Sequence, residues 1–368
     1  MSVLEELLSH CIREPEQLQE RLGLTDRFVA QLKTITAQYP ICIPPYYLDL
    51  IGEDWENDPI RRLCIPDPAA FSLAGDKDTS GEAENTVVAG MQHKYRQTVM
   101  ILTTNQCAMY CRHCFRKRMV GSSADEIARH IGEMADYIRG HPEINNVLLS
   151  GGDALVNDNG RLRQYLETFS AIDHLRYLRI GTRTPVVLPQ RITEDGELLD
   201  MLSAYSRRRQ IIIVTHFNHP RELTERSRAA IRALLEAGCP VQNQTVLLRG
   251  VNDESTVLAE LMNSLAGAGA LPYYVFQCRP AQGVMKQFQV PLLAGKRIID
   301  QAKAGMSGQA KAFRYVMSHA TGKIEILGRD RNGEMLFKYH QAKYRRDDSR
   351  MFTVRLDYDQ CWLDQDIP

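Results

Sequence analysis

The 368-residue chain carries 45 Lys and Arg against 45 Asp and Glu, so its formal net charge is zero. This balance gives no overall basic field of the kind that draws proteins to nucleic acid or to an anionic membrane. The first thirty residues mix charges with leucines, and no apolar stretch is long enough to span a bilayer, which argues against a secretory signal and a membrane anchor. Nine cysteines, six of them scattered singly, do not resemble a disulfide framework and favour a reducing cytoplasm.

Residues 1–95 are predicted to form an N-terminal helical region. Ser2 precedes helical apolar spacing, and a similar pattern follows Leu24, while the prolines of residues 40–45 interrupt it. The polar residues 76–85 are predicted to form an exposed loop, because Gly, Ser and Thr lie among their charges.

Over residues 96–310, six short apolar runs alternate with longer amphipathic stretches. The runs predict strands at 98–104, 146–150, 177–181, 210–215, 241–248 and 273–278. The stretches between them predict helices that include 124–139, 160–171, 221–237 and 256–268. This alternation indicates parallel strands with right-handed helical crossovers, so the fold class is α/β and the core is a six-unit barrel.

Polar residues follow these predicted strands, at residues 150–153, Thr182, Arg183, residues 216–219, Arg249 and Arg279. The carboxyl ends of barrel strands carry the active site in enzymes of this architecture. The pattern therefore predicts an enzyme. After residue 310, short strands at 311–318, 323–328 and 334–340 predict a small C-terminal β extension over 311–368, with a hairpin turn at 330–333 and a tail that wraps the surface.

Three thiols, Cys107, Cys111 and Cys114, follow the first predicted strand within eight residues. They could fill three of the four ligand positions of a 4Fe–4S cube and leave one iron open. Two alternatives stay open at this point. The thiols could hold a structural zinc with a distant fourth ligand, or with His113 in a Cys3His set, or they could be unrelated core residues.

The cysteine spacing is similar to that of radical S-adenosylmethionine (SAM) enzymes, in which SAM binds the open iron. Together with the segments 150–155, 180–189, 216–220, 243–253 and 272–274, it closely resembles the lysine 2,3-aminomutase family, from about Gly90 to Lys323. Members of this family move an amino group from Cα to Cβ of an amino acid. The resemblance implies a partial (β/α)6 radical SAM barrel that uses a 4Fe–4S cluster, SAM and pyridoxal phosphate (PLP).

The resemblance also implies roles on the SAM side of the site. Cys107, Cys111 and Cys114 would hold the cluster, and the loop of Gly151, Gly152 and Asp153 would bind the amino group of SAM. Residues expected near SAM are His113, Arg183, His216 and Gln244. Without the cysteine loop, the two glycines would indicate only an ordinary turn between a strand and a helix.

On the substrate side, the resemblance assigns Arg116 to the α-carboxylate and Lys323 to the Schiff base with PLP. Lys94 and Tyr95 match the region that covers PLP and its phosphate. Thr98 stands where the family has a second arginine, and several glycines expected before Lys323 are absent. Arg116 in a solvated basic run, and Lys323 in a surface turn, are the alternatives.

Arg279 stands where lysine-specific members carry an aspartate that binds the distal ammonium, and Met317 or Ser318 lies where a second acid is expected. An arginine there repels ammonium and attracts carboxylate, so we expect an acidic or polar substrate such as glutamate. Alternatively, Arg279 turns away to pair with an acid such as Asp253. Cys361 alone cannot replace the clustered zinc ligands of the lysine enzymes, which predicts no structural zinc.

The sequence thus predicts a cytoplasmic isomerase that acts on a small amino acid, with an electron donor such as flavodoxin or ferredoxin. A homo-oligomer is expected, and neither nucleic acid nor membrane is an expected partner. The alternatives are a radical SAM enzyme of this fold without PLP, a lysine 2,3-aminomutase proper, an enzyme acting on a protein lysine, and a metal-binding module without catalysis.

Overall fold

The computed structural model describes residues 2–121, 125–364 and 367. Its N-terminal region contains six short helices: α1 (Val3–Ser9), α2 (Pro15–Leu22), α3 (Asp26–Thr36), α4 (Pro45–Leu48), α5 (Pro59–Cys64) and α6 (Glu82–Asn85). The predicted helix starts are confirmed. The hydroxyl of Ser2 accepts from Glu5 N as part of a capping box, and that of Thr25 accepts from Phe28 N.

Twelve strands follow one another in a single sheet, in the same order as in the chain. They are β1 (Thr86–Val88), β2 (Met91–Tyr95), β3 (Thr98–Thr104), β4 (Asn146–Gly151), β5 (Tyr177–Gly181), β6 (Gln210–Thr215), β7 (Val241–Leu247), β8 (Ala270–Gln277), β9 (Arg314–His319), β10 (Gly322–Arg329), β11 (Met335–Ala342) and β12 (Met351–Val354). Pairing is parallel from β3 to β9 and antiparallel at both ends. The six predicted parallel strands are confirmed, and β9 adds a seventh.

The helices that cover the parallel strands are α7 (Ile131–Arg139), α8 (Asn159–Ser170), α9 (Thr184–Val187), α10 (Gln190–Thr193), α11 (Gly196–Ser206), α12 (Glu225–Glu236), α13 (Ser255–Gly267), α14 (Met285–Phe288) and α15 (Leu292–Ala304). Short 3-10 turns lie at Ala154–Val156, Pro220–Glu222, Ala310–Ala312 and Arg345–Asp347. The predicted helix at 124–139 begins only at Ile131, and its first predicted residue, Ala124, lies outside the described residues. Within the described parts of the chain, no helix is long and apolar enough to cross a bilayer.

Each strand pairs only with the strands before and after it in the chain, among the described residues. The first and last strands are therefore not joined, and the barrel is open. The predicted α/β partial barrel is confirmed. Side chains connect the two edge regions instead. Lys94 Nζ on β2 donates to the His319 carbonyl of β9 at 2.6 Å, and Lys343 after β11 pairs with Glu84 of α6 at 3.2 Å. These contacts bring the two ends of the sheet together over the barrel interior.

The prediction of an exposed loop at 76–85 is wrong for three of its residues. Asp76 and Lys77 are exposed, but Ser80, Glu82 and Asn85 are buried. These polar side chains are tolerated inside because they are bonded there: Glu82 pairs with two arginines, and Asn85 donates to the carbonyls of residues 80 and 81. The segment forms one wall of the cavity described next.

Candidate active site

One cavity of about 370 Å³ lies inside the open barrel, at the carboxyl ends of the parallel strands. Every site residue named from the sequence lines it: Lys94, Tyr95, Cys107, Cys111, His113, Cys114, Arg116, Gly151, Gly152, Asp153, Arg183, His216, Gln244, Arg279 and Lys323. Arg249, another polar residue at a strand end, is exposed and is not among the lining residues. The structure thus brings the proposed cluster, SAM, PLP and substrate residues into one space.

The cysteine loop after β3 presents three half-buried thiols to the cavity. Arg183 Nη1 donates to Cys111 Sγ at 2.9 Å. Burial, with the neighbouring Cys111, raises the pKa of Cys114 to about 11, so this thiol needs a metal to ionise at neutral pH. Among the described residues no three His, Cys, Asp or Glu side chains surround a single ion, but a cube binds each thiolate on a different iron. The donor set fits an iron–sulfur cluster.

The two glycines after β4 allow close packing between loops. A Cβ on Gly151, whose φ is +113°, would lie 2.4 Å from the Thr104 carbonyl oxygen, and one on Gly152 would lie 2.1 Å from that of Gln106. Gly152 N donates to Thr104 O at 2.6 Å, and Asp153 N to Gln106 O at 2.8 Å. The turn therefore supports the backbone immediately before Cys107, in addition to lining the cavity.

The Asp153 carboxylate already receives three donors from the protein. Its Oδ1 accepts from Thr182 Oγ1 at 2.6 Å and from Leu155 N at 3.0 Å, and its Oδ2 accepts from Arg183 N at 2.6 Å. A carboxylate has about four acceptor sites, so there is room for one more donor. Asp153 joins the loops after β4 and β5, and a ligand ammonium could use only its remaining capacity.

Arg183 connects the cysteine loop to the far wall of the cavity. Its Nε donates to the His216 carbonyl at 3.1 Å, and its Nη2 pairs with Glu222 and contacts the hydroxyl of Tyr47. The ring of His216 lies edge-on to that of His113, with 5.3 Å between centroids, and its buried Nε2 has no partner among the described residues. Burial and Arg183 lower the pKa of His216 to about 3, so its ring is neutral at pH 7.

Arg116 forms a buried ion pair with Glu82, through Nε and Oε1 at 2.7 Å. Its Nη1 approaches Ser150 Oγ at 3.4 Å, and its Nη2 approaches Met100 Sδ at 2.9 Å, which are weak neutral acceptors. Burial opposes ionisation of Glu82, but Arg116 and Arg118 outweigh it and lower the pKa of Glu82 to about 2. Glu82 thus fixes the Nε edge of the Arg116 guanidinium, while Nη1, which also lies 3.5 Å from Gly151 O, and Nη2 contact only neutral acceptors among the described residues. Sequence reasoning missed Glu82, because the polar loop around it was interpreted as exposed.

Lys323 lies at the start of β10, and its side chain enters the cavity rather than a surface turn. Nζ donates to Gln341 Oε1 at 3.1 Å and lies 4.4 Å from the centre of the Tyr274 ring. Burial lowers the pKa of Lys323 to about 7, with further contributions from Arg179 and other cations. A large fraction of the amine is therefore uncharged at neutral pH, as a nucleophile toward an aldehyde requires.

Lys94 is the second buried lysine of the site. Burial, followed by the charge of Arg279, lowers its pKa to about 7. Unlike Lys323, it is held by backbone oxygens, His319 O at 2.6 Å and Ser80 O at 3.3 Å. Lys323 is thus the less restrained nucleophile of the two.

Arg279 is held by neutral groups only. Its Nη2 donates to Ser318 Oγ at 2.8 Å, its Nη1 contacts Ser80 Oγ, and its guanidinium lies over the Phe115 ring at 4.1 Å. No carboxylate of the described residues lies within ion-pair distance. The alternative pairing with Asp253 is wrong, because that carboxylate accepts from Gly250 N at 2.8 Å instead. Arg279 therefore carries an unneutralised charge into the cavity.

Further polar residues of the cavity were not identified from the sequence: Ser80, Gln92, Arg179 and Gln341. Arg179 left a signal that could have been used. It interrupts an apolar run that was predicted as a core strand, and a charge in such a place indicates a side chain directed to a polar interior.

Comparisons with known proteins agree with this arrangement. Residues 101–262, which contain the cysteine loop and β4 to β7, match the family described as Radical SAM superfamily. The open barrel and its three-thiol loop therefore define a radical SAM enzyme. A radical SAM methyltransferase structure from Sphaerobacter thermophilus covers 61% of this chain and 68% of its own, with a TM-score of 0.41 and 16% identity.

The curated relatives narrow the class. The chain is 40% identical over 300 residues to L-lysine 2,3-aminomutase of Clostridium subterminale, covering 81% of this chain and 71% of the relative. It is 34% identical to L-lysine 2,3-aminomutase of Acetoanaerobium sticklandii, and the match covers 95% of this chain and 85% of that relative. It is also 37% identical to glutamate 2,3-aminomutase of Clostridioides difficile, covering 82% and 71%. The chain belongs to the lysine 2,3-aminomutase family, and it is an isomerase of the aminomutase type.

Proposed function

We propose that this chain is a PLP-dependent radical SAM 2,3-aminomutase of the cytoplasm, which moves the α-amino group of an acidic amino acid, such as glutamate, to Cβ. Family membership supports the reaction class. The substrate class rests on one observation: Arg279 is a half-buried cation that lines the cavity and has no acidic partner among the described residues. That one relative is named a glutamate 2,3-aminomutase makes such a substrate reasonable for the family.

The bound groups would supply the radical chemistry: SAM on the cluster supplies a 5′-deoxyadenosyl radical, and PLP carries the migrating nitrogen. The protein supplies their positions. The thiolates of Cys107, Cys111 and Cys114 would hold the cluster, with Arg183 stabilising the charge on Cys111. Lys323 would hold PLP, since it is a half-buried amine of lowered pKa that, among the described residues, donates only to an amide oxygen, that of Gln341.

Two arginines would orient the substrate. Arg116, fixed by Glu82, would take the α-carboxylate, and Arg279, fixed by Ser80 and Ser318, would take the side-chain carboxylate. The distal ammonium of lysine would meet the Arg279 charge instead. Like charges inside a partly desolvated site cost several kcal/mol, which is enough to reverse a preference.

The enclosing walls would protect the reaction from water. β2 on one side and β9 to β11 on the other flank the cavity, and Lys94 joins them through His319. We include in the proposal an external one-electron donor such as flavodoxin or ferredoxin, and assembly into a homo-oligomer.

The test is anaerobic reconstitution with iron, sulfide, PLP and SAM, followed by reduction and a screen of glutamate, aspartate, glutamine and lysine. Products are separated by liquid chromatography and assigned by mass spectrometry. We expect β-glutamate, with kcat/KM for glutamate about 100-fold or more above that for lysine. A preference for lysine would overturn the substrate assignment. SAM cleavage without bound PLP and without any β-amino product would favour a radical SAM enzyme of another type.

A matched pair of arginine variants isolates the specificity residue. Arg279→Met should lower kcat/KM for glutamate by about 10- to 100-fold, because a charge-assisted hydrogen bond is lost. Arg249→Met, at an exposed strand end outside the cavity, should leave it unchanged. Equal activity of both variants would show that Arg279 does not contact the substrate.

A further inference from the structure

One buried cation of the cysteine loop has no role in the assignments above. Arg112 lies between Cys111 and Cys114 in the chain and is only 3% exposed. Its Nη1 donates to Pro40 O at 3.3 Å and to Tyr39 O at 3.4 Å, and its side chain makes no other hydrogen bond to the described residues. Both bonds are long, and both acceptors are uncharged. Burying a guanidinium among such neighbours is costly unless a negative charge lies close to it.

The other arginines beside the cysteines have acidic partners. Arg116 pairs with Glu82, and Arg183 pairs with Glu222. No carboxylate of the described residues lies within ion-pair distance of Arg112. The charge of Arg112 is therefore the one that the protein itself leaves unbalanced among these three arginines.

A lysine of the same loop differs from Arg112 in its exposure. Lys117 also has no acidic partner among the described residues, and its Nζ donates to Gly283 O at 2.8 Å. Lys117 is only half-buried, however, so water and salt can screen its charge. Arg112 lacks that screening, and its charge acts on its surroundings at greater strength.

The N-terminal region holds Arg112 behind the cysteine loop. Arg112 N donates to Leu63 O at 2.9 Å, and Cys114 N donates to Cys111 O at 3.1 Å, which closes a turn around it. The carbonyls of residues 39 and 40 then hold the guanidinium. Arg112 is not among the residues that line the cavity, so its charge lies on the other side of the loop from the substrate and SAM.

This charge acts on the proposed cluster ligands. Burial lowers the pKa of Arg112 to about 10, and the thiols of Cys64, Cys111 and Cys114 oppose that decrease, so the guanidinium stays charged at pH 7. When a cluster takes up one electron, it gains one negative charge. A fixed cation nearby stabilises the reduced form more than the oxidised form, and net charge is one of the factors that set the potential of iron–sulfur clusters.

We propose that the buried charge of Arg112 raises the reduction potential of the cluster, so that an external one-electron donor can reduce it more easily. The inference rests on the proposed cluster of Cys107, Cys111 and Cys114, and it adds a residue that acts on the cluster without lining the substrate cavity. The step itself transfers one electron from the donor to the oxidised cluster, and no covalent bond forms or breaks.

The test measures the midpoint potential of the reconstituted cluster in the absence of SAM and substrate, by a redox titration followed by electron paramagnetic resonance. Arg112→Met should shift the reduction equilibrium about tenfold toward the oxidised cluster, which for one electron is a midpoint about 59 mV more negative. Arg112→Lys, which retains a positive charge, should keep more than half of the wild-type advantage. SAM affinity, measured by equilibrium dialysis, should stay within about twofold in both variants.

Two further variants serve as controls for charge and position. Arg249→Met, at an exposed strand end, should leave the midpoint unchanged. Lys117→Met should shift it in the same direction as Arg112→Met but by less. If Arg112→Met does not fold or hold iron, Arg112→Gln, which keeps donors for the two carbonyls and removes the charge, should show the tenfold shift instead.

Three results would overturn the inference. An unchanged midpoint in an Arg112→Met or Arg112→Gln protein with full iron would leave Arg112 a packing role only. An equal fall in Arg112→Lys and Arg112→Met would show that the charge is not the cause. Weaker SAM binding with an unchanged midpoint would assign Arg112 to SAM. If wild type takes up no cluster at all, the proposed function fails together with the inference.

Discussion

The two sides of the cavity differ in how their charges are balanced. On the side of the cysteine loop, Arg183 contacts Cys111 and Glu222, and Asp153 receives three donors. On the side flanked by β2 and β9 to β11, the hydrogen bonds of Lys94, Arg279 and Lys323 to other described residues all go to neutral oxygens. These charged groups of the first side are paired within the protein, whereas the cations of the second have no acidic partner among the described residues.

This difference separates the two tasks of the site. The residues that hold a radical-generating cofactor need one fixed arrangement, whatever the substrate is. Permanent contacts within the protein can therefore satisfy their charges and hydrogen-bonding groups. A binding surface for a cofactor and an amino acid must exchange partners, so its cations stay available. The side with unbalanced charge is therefore where substrate choice is expected to reside.

The largest effect is expected on the side of the cysteine loop. Cys111→Ser removes a proposed cluster ligand and the acceptor of Arg183 Nη1. We expect loss of bound iron and a fall in SAM cleavage of about 100-fold or more, since even changes beyond the ligand shell weaken metal sites by 10- to 100-fold. Iron content and 5′-deoxyadenosine formation are the measurements. Cys361→Ser, outside the cavity, is the control, and full iron in Cys111→Ser would contradict the cluster assignment.

On the unbalanced side, the pH dependence of PLP capture tests Lys323. Its pKa is lowered to about 7, so the reactive neutral amine accumulates as pH rises through 7, and the capture rate should rise and then level off. Gln341→Glu places a carboxylate beside Nζ and should move the midpoint up by about one to three pH units. Stopped-flow absorbance gives the rates. Capture that disappears in Lys94→Met and persists in Lys323→Met would identify the other lysine.

A smaller effect is expected where the two sides meet, at Glu82. Glu82→Gln leaves Arg116 buried without its counterion, which should lower the free energy of unfolding by about 3–5 kcal/mol at pH 7. The folded-state pKa of Glu82, about 2, lies below its usual 4.5, so this stabilisation is complete above pH 4.5 and declines as pH falls toward 2. Urea unfolding at several pH values measures both effects. Glu126→Gln, a change at an exposed partner of Arg118, should cost about 1 kcal/mol or less, and an equal cost for Glu82→Gln would contradict this role.

The smallest effect concerns the pair that joins the sheet edges outside the cavity. Glu84 is 76% exposed, so its pairing with Lys343 should contribute a coupling free energy of about 0–1 kcal/mol in a double-mutant cycle of Glu84→Gln and Lys343→Gln. Unfolding free energies of the four proteins give the value. A coupling free energy above about 2 kcal/mol would show that this ion pair, rather than the hydrogen bond from Lys94 to His319, is the main connection between the two edge regions of the sheet.

The side of the cysteine loop was also easier to predict from the sequence. Cys107 to Cys114 form a local motif. The strand before this motif and the two glycines after it can also be recognised from the local sequence pattern. The strands were predictable for the same reason, because apolar alternation with helices is a local pattern. On the other side, Lys323 was named only through the family resemblance. Arg279 was also named as a polar residue after a predicted strand, but its role came from the resemblance, and the contacts of both residues were not predicted.

The features that could not be predicted from the sequence depend on contacts between distant segments of the chain. Residues 76–85 have the composition of a solvated loop, and nothing local distinguishes that from a polar wall whose Glu82 meets Arg116. Arg179 could be suspected as a charge within an apolar run, but that its Nε has no partner among the described residues is a property of the assembled barrel. β9 was placed in the extension because it continues directly into a hairpin, although it pairs parallel to β8.

The bond from Lys94 to the carbonyl of His319 spans 225 positions of the chain. During synthesis, the thiols of the cysteine loop therefore emerge long before the strand that carries Lys323. Domains form from their N-terminal parts as they leave the ribosome, and contacts of such long range are made last. The newly made protein thus presents the cysteine loop before it can form the strands that enclose the cavity from the other side.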